Sequence, residues 1–257
     1  MRQIRPLLYR NLALSNFPHA IRESNVVRQK ITSITQLLRL PSVCVLCNQY
    51  HDQPFPVCHP CTRLFKKIGP ACRYCAHPLP DEKYLVCGIC VKEKPTIDNT
   101  ITAYRFEEPL RTLLHGFKYH EAFYLGGFLA KLILEALANR PITTECLIPV
   151  PLHPKRLRQR GFNQAVELSR ILSKKLQIPC EPNLCKRIVH TDPQVNLDRK
   201  QRKQNVRGAF QSKLTHYQHI TLVDDLLTTG STANELARVL KQQGATRIDL
   251  WCCARAF

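Results

Sequence analysis

The chain has 257 residues, 44% of them apolar and only nine glycine, so a buried core is within reach and a collagen-like or low-complexity chain is excluded. Its 38 basic and 19 acidic residues leave a formal charge of +19, which points to anionic partners: nucleic acid, anionic lipid or phosphorylated small molecules. No stretch reads as a membrane span, because the best apolar run, residues 124–138, is short and carries Lys131 and Glu135.

Residues 1–40 form a basic N-terminal extension with seven Lys or Arg against the single acid Glu23, and they lack the continuous apolar segment of a secretory signal. Ile31, Ile34, Leu37 and Leu38 keep a helical period within it. Such a tail is expected to be unstructured. With no secretory signal, the expected compartment is a reducing cytoplasm, where thiols are open to metal.

Residues 41–94 are a cysteine-rich segment with four C-x-x-C pairs: Cys44/Cys47, Cys58/Cys61, Cys72/Cys75 and Cys87/Cys90. Ten, ten and eleven residues separate successive pairs. Two cysteines three apart on a tight turn aim both sulfurs at one ion, and two such turns close a tetrahedral shell. Eight thiolates suit two structural zinc ions, which would staple a segment with little core of its own. An iron–sulfur cluster takes the same ligands at other spacings. Spacing leaves open whether neighbouring or alternate pairs share an ion. His51 and His59 lie inside the segment, but the cysteines already suffice. The other five cysteines sit in or beside apolar runs and read as inert core thiols.

Residues 95–257 alternate short β-type runs with helical patterns, the rhythm of an α/β domain around a mostly parallel sheet. Strands are expected at 100–106, 146–150, 219–223 and 247–253. Helices are expected at 110–118, 125–138, 164–176 and 232–243, the last stopped by Gly244.

The most specific stretch is Ile220–Thr232, in which an apolar strand ends in Asp224 and Asp225 and gives way to Thr228, Thr229, Gly230, Ser231 and Thr232 before a helix. Ligands of open α/β sheets bind at the carboxyl ends of strands. A small, hydroxyl-rich loop opening a helix converges N–H groups on an anion. Carboxylates beside an anion cradle make sense when the ligand is a sugar phosphate, whose hydroxyls they accept from.

The run V-D-D-L-L-T-T-G-S-T resembles the phosphoribosyl pyrophosphate signature of type I phosphoribosyltransferases. The stretch from Ile148 to Ala165, with its R-G-F-N-Q segment, and the stretch from Asp192 to Phe210 resemble the ComF family within that class. The resemblance implies a type I phosphoribosyltransferase-like fold behind a small zinc-binding domain. It implies that Asp224 and Asp225 contact the ribose hydroxyls and that Thr228–Thr232 hold the 5′-phosphate. Val150 and Pro151 would begin the pyrophosphate loop, and Arg156, Arg158 and Arg160 would offset the leaving group's charge with magnesium. Arg199, Lys200, Arg202, Lys203 and Arg207 would form a lid.

The family's association with natural transformation implies single-stranded DNA and competence-machinery proteins as partners. Basic residues at 153–175 and 186–213 permit contact with DNA, and Phe162, Phe210, Tyr217 and Trp251 are candidate stacking platforms, although core is the commoner role for an aromatic. Two other readings stand beside this one: a transferase moving phosphoribose onto a nucleobase or small amine, and a ligand sensor without turnover.

Overall fold

The computed structural model describes residues 41–119, 122–190, 201 and 204–257. The extension 1–40, with its helical pattern, and most of the expected lid fall outside the described residues.

The cysteine segment builds one motif twice. In the first copy, β1 (Ser42–Val43) and β2 (Tyr50–His51) flank a turn, and Cys58 caps the short helix α1 (His59–Thr62) that carries Cys61. In the second, Cys87 caps α2 (Gly88–Lys92), which carries Cys90. Each turn closes by a backbone hydrogen bond of 2.8 Å, from Asn48 N to the Cys44 carbonyl and from Ala76 N to the Cys72 carbonyl. Asn48 and Ala76 take positive φ angles of 57° and 53° to make it. The helix that follows each turn brings a second sulfur pair onto the first.

Four parallel strand positions make the main sheet, in the order β3 (Asn99–Ile101), β9 (Arg247–Arg255), β8 (His219–Leu227), β5 (Cys146–Pro149), with β4 (Tyr104–Arg105) continuing β3 along β9. Period-2 alternation splits the core between two faces. Val223, Trp251 and Cys253 pack toward α3 (Leu110–Tyr119), α4 (Gly126–Leu137) and α6 (Gln164–Leu176). Ile220, Leu222, Leu250 and Cys252 pack toward α7 (Ser231–Gln242) and the antiparallel pair β6 (Cys185–Arg187) and β7 (Phe210–Ser212). The expected helices and the last three expected strands are present, with β8 and β9 running to Leu227 and Arg255, beyond their expected ends, whereas the strand expected at 100–106 is broken into β3 and β4.

Residues 42–257 form one compact unit. Cys44, Cys58, Cys61 and Phe65 share a core with α4, where Phe65 meets Phe128 and Tyr104 edge-on at 6.0 and 5.8 Å. The backbone from Lys66 to Ile68 runs along β4, donating and accepting hydrogen bonds of 2.8 to 3.0 Å. The change of composition near residue 94 is therefore not a gap in packing.

The chain direction across the sheet fixes where a ligand can sit. From β5 the chain passes through α6 and returns at Cys180, which bridges Leu147 on the side of β5 away from β8. From β8 it passes through α7 to β9, on the opposite side. The carboxyl ends of β5 and β8 thus open at a point where the strand order reverses, the position at which parallel sheets hold ligands.

Candidate functional site

Pairing between β5 and β8 ends at Pro149 and Val223, while β8 stays paired to β9 through Leu227. Asp224 and Asp225 are therefore held rigidly from one side and freed on the other. They line a cleft of about 580 Å³ together with Val150, Pro151, Arg156, Arg160, Arg187, Thr228 and Thr232. Lys118, from the end of α3, reaches Asp225 with Nζ 2.8 Å from Oδ2. Asp224 turns Oδ1 back to accept from the Asp225 N–H at 2.9 Å. Burial pushes the Asp224 carboxyl up to about 8; the neighbouring Asp225 adds to the rise and Lys118 opposes it.

The loop after β8 turns at Gly230, whose φ of 77° a side chain adopts only with strain. A Cβ there would lie 3.3 Å from Asn234 Nδ2. Asn234 Nδ2 donates to the Gly230 carbonyl at 2.9 Å, while its Oδ1 accepts from the Thr96 and Ile97 N–H groups at 2.7 and 3.2 Å. The Thr229 and Ser231 hydroxyls pair at 2.9 Å. Arg255 donates to the carbonyls of Leu227 and Thr228 behind the loop. The carbonyls of Leu227, Thr228 and Gly230 are thus taken up by Arg255 and Asn234, and α7 starts at Ser231.

The opposite wall explains the R-G-F-N-Q segment. The helix α5 (Pro154–Arg160) stops at Gly161, with φ 76°, and Asn163 caps α6 by accepting from the Ala165 N–H at 3.0 Å. Buried Gln164 donates to the Lys118 carbonyl at 3.1 Å and accepts from Arg160 Nη1 at 3.2 Å. Arg160 also lies over the Tyr119 ring, 4.9 Å from its centroid. The segment is thus a bracket that aims Lys118 at Asp225. Arg187 is 6% exposed, and burial with nearby Arg156 lowers its pKa to about 10, still charged at neutral pH.

The sulfurs resolve the pairing question. Cys44, Cys47, Cys58 and Cys61 form one set and Cys72, Cys75, Cys87 and Cys90 another, with all four atoms of each set within 4.8 Å of one another. Neighbouring pairs share a site. Zinc at about 2.3 Å from four sulfurs requires sulfur–sulfur edges of about 3.8 Å, and the Cys47–Cys58 and Cys75–Cys87 separations are both 3.7 Å. Burial alone would raise the Cys44 thiol, but the N–H groups of Cys58, Leu46 and Cys47 bring it down to about 6. Burial drives Cys61 and Cys90 the other way, and a divalent cation is what would let all four ionise together. Both sets fit zinc.

No protein-family model matches the chain. It is 36% identical over 225 residues to competence protein F of Haemophilus influenzae, spanning 83% of this chain and 96% of that protein. The chain belongs to the ComF family. DNA utilization protein YhgH of Escherichia coli K12 is 30% identical over 228 residues, 86% of this chain and 100% of that protein. Competence protein ComFC of Bacillus subtilis is 24% identical, spanning 79% and 90% respectively. Among solved structures, an adenine phosphoribosyltransferase from Thermoanaerobacter pseudethanolicus overlaps 54% of this chain and 83% of its own at a TM-score of 0.30 and 15% identity.

In this ComF chain, Asp224, Asp225, Val150, Pro151, Arg156, Thr228 and Thr232 converge on one cleft. Gly230 and Ser231 line a small recess of about 40 Å³ with Asp224, Thr228 and Thr232, and Thr229 and Ser231 face a second recess of about 190 Å³. Arg158, on the exposed side of α5, is not among the residues lining the cleft. Phe162, Phe210 and Trp251 are buried in the core and Tyr217 is half-buried against it, so the first three offer no stacking face. Lys118, Arg187 and Arg255 carried no motif signal, because each reaches the site from a distant segment, and Asn234 follows the T-T-G-S-T run by two residues without belonging to it. Among the described residues, no helix is long and apolar enough to cross a membrane.

Proposed function

We propose that this ComF protein binds magnesium–phosphoribosyl pyrophosphate in the cleft between β5 and β8 and single-stranded DNA along its basic rim, acting with the competence machinery in DNA uptake in the cytoplasm. The observation that carries the reading is Asp224 and Asp225 standing beside the Thr228–Thr232 loop at the reversal of strand order. A ribose ring placed there would give its hydroxyls to the two carboxylates and its 5′-phosphate to the loop. The pyrophosphate and its magnesium would then face Val150, Pro151, Arg156 and Arg187. Relatives named for competence and for DNA utilization support the DNA role. So do the net charge of +19, Arg156 and Arg187 in the cleft, and the exposed Lys155, Arg158 and Lys186 on the same elements.

The raised pKa of Asp224 favours a second reading, in which a carboxylate near the sugar's reacting carbon assists transfer of phosphoribose to a nucleobase or small amine. One experiment separates the outcomes: titrate magnesium–phosphoribosyl pyrophosphate into the wild type and into Asp224→Asn/Asp225→Asn, then assay pyrophosphate release with candidate acceptors. Saturable binding lost in the variant is expected, and absence of wild-type binding would overturn the cleft assignment. Pyrophosphate release that depends on an acceptor would select the transferase. Affinity for single-stranded DNA should fall linearly in log–log plots against salt, and a flat response removes DNA as a partner.

A further inference from the structure

The two four-cysteine sites stand in different mechanical relations to the rest of the chain. The first shares its core with α4 through Phe55, Phe65 and Phe128. The second is tied to the phosphate loop by Arg255, at the end of β9. The guanidinium Nε donates to the carbonyl of Cys75, a member of the second sulfur set, at 2.9 Å. From the same group Nη1 donates to the carbonyls of Leu227, Thr228 and Ala256. Asn234 supplies a second tie, because its Oδ1 takes the N–H groups of Thr96 and Ile97 on the segment leaving α2, while its Nδ2 holds Gly230.

The consequence follows from peptide geometry. A trans peptide points its C=O and N–H in opposite directions. Holding the Thr228 carbonyl on the cysteine side therefore turns the Thr229 N–H away from that side, and the Gly230 carbonyl held by Asn234 does the same for the Ser231 N–H. The Cys75 carbonyl lies in the turn closed by the Ala76 N–H to Cys72 carbonyl bond, and four sulfurs on one ion would lock that turn in place. Loss of that ion would loosen the Cys75 carbonyl and with it the anchor of Arg255.

We propose that Arg255 is a positioning residue coupling the second four-cysteine site to the phosphate loop, so that metal at Cys72, Cys75, Cys87 and Cys90 orders Thr228–Thr232 for anion binding and metal at the first site does not. In its ligand, though not in its mechanics, the proposal rests on the cleft reading above.

The test uses the full chain, with zinc per chain read by a chromogenic chelator, magnesium–phosphoribosyl pyrophosphate affinity by calorimetry, and loop order by amide hydrogen exchange at 228–232. Arg255→Lys is expected to keep both zinc ions, to exchange faster at 228–232, and to bind the ligand on the order of tenfold more weakly, within the range usual for coupled sites. Cys72→Ser/Cys75→Ser should lose one zinc and show the same loosening of the loop. Cys44→Ser/Cys47→Ser should lose one zinc and leave exchange at 228–232 as in the wild type. Arg255→Lys alters no cysteine and carries the test if the serine variants do not fold. Wild-type exchange and affinity in Arg255→Lys would overturn the coupling while leaving the ligand assignment intact. Equal loosening from either cysteine site would also overturn it. Faster loop exchange in Arg255→Lys and in the second-site variant, with no ligand binding even by the wild type, would support the coupling and remove the ligand.

Discussion

The Asp224 carboxyl makes the cleft a measurable burden on stability. Its pKa rises from an ordinary 3.8 to about 8 because it is buried beside a second carboxylate. Between these values the folded protein holds a proton that the unfolded chain has released. Stability therefore falls as pH rises from about 4 to about 8, and the full penalty is present above that range. A shift of this size corresponds to about 6 kcal/mol, which water in the open cleft would reduce to about 2–4 kcal/mol. Asn at 224 keeps the acceptor for the Asp225 N–H and removes the ionisation. Urea unfolding of wild type and Asp224→Asn at intervals from pH 5 to pH 9 should show the variant gaining by about that amount at the alkaline end, with similar slopes against denaturant. The variant should at the same time lose affinity for magnesium–phosphoribosyl pyrophosphate, a trade of function for stability. Parallel pH profiles for the two proteins would refute the argument, because they would mean that Asp224 is already ionised in the fold.

Three further outcomes follow from other parts of the molecule. Gly230→Ala forces a side chain into φ of 77° and against Asn234; it should cost about 1–2 kcal/mol in chemical denaturation and weaken ligand binding, and unchanged affinity would argue that the loop's conformation is not used. Phe65→Ala opens the shared core beneath the first cysteine site, with an expected loss of about 3–5 kcal/mol and a lower melting temperature at full zinc content. Chelation should release two zinc ions per chain and raise proteolysis within residues 42–92; release without structural loss would leave the sulfur sites decorative. Each of these is read by melting curves, calorimetry or zinc absorbance on the purified chain.

Sequence alone determined what depends on neighbours along the chain. The C-x-x-C spacing specified tetrathiolate sites, because three-residue turns place two sulfurs within one coordination shell whatever surrounds them. The D-D-L-L-T-T-G-S-T run specified strand, acids and loop in that order, since Gly230 and the hydroxyl residues act on their own backbone. Helices α3, α4, α6 and α7 were legible to within about a turn from their apolar periods. Tertiary structure decided what depends on the meeting of distant segments. Cys44 pairs with the Cys58 side and not with Cys72 because Phe55 and Phe65 anchor the first motif to α4. Lys118 becomes the partner of Asp225, and Gln164 its support, only because the end of α3 meets the start of α6 on one face of the sheet. Arg255 lies beyond the expected end of the final strand, and its link between a cysteine turn and the Thr228–Thr232 loop exists only because β9 lies between β3 and β8. Local chemistry is written in spacing, whereas a partner 100 residues away is chosen by burial, which acts on the folded surface and leaves no periodic mark.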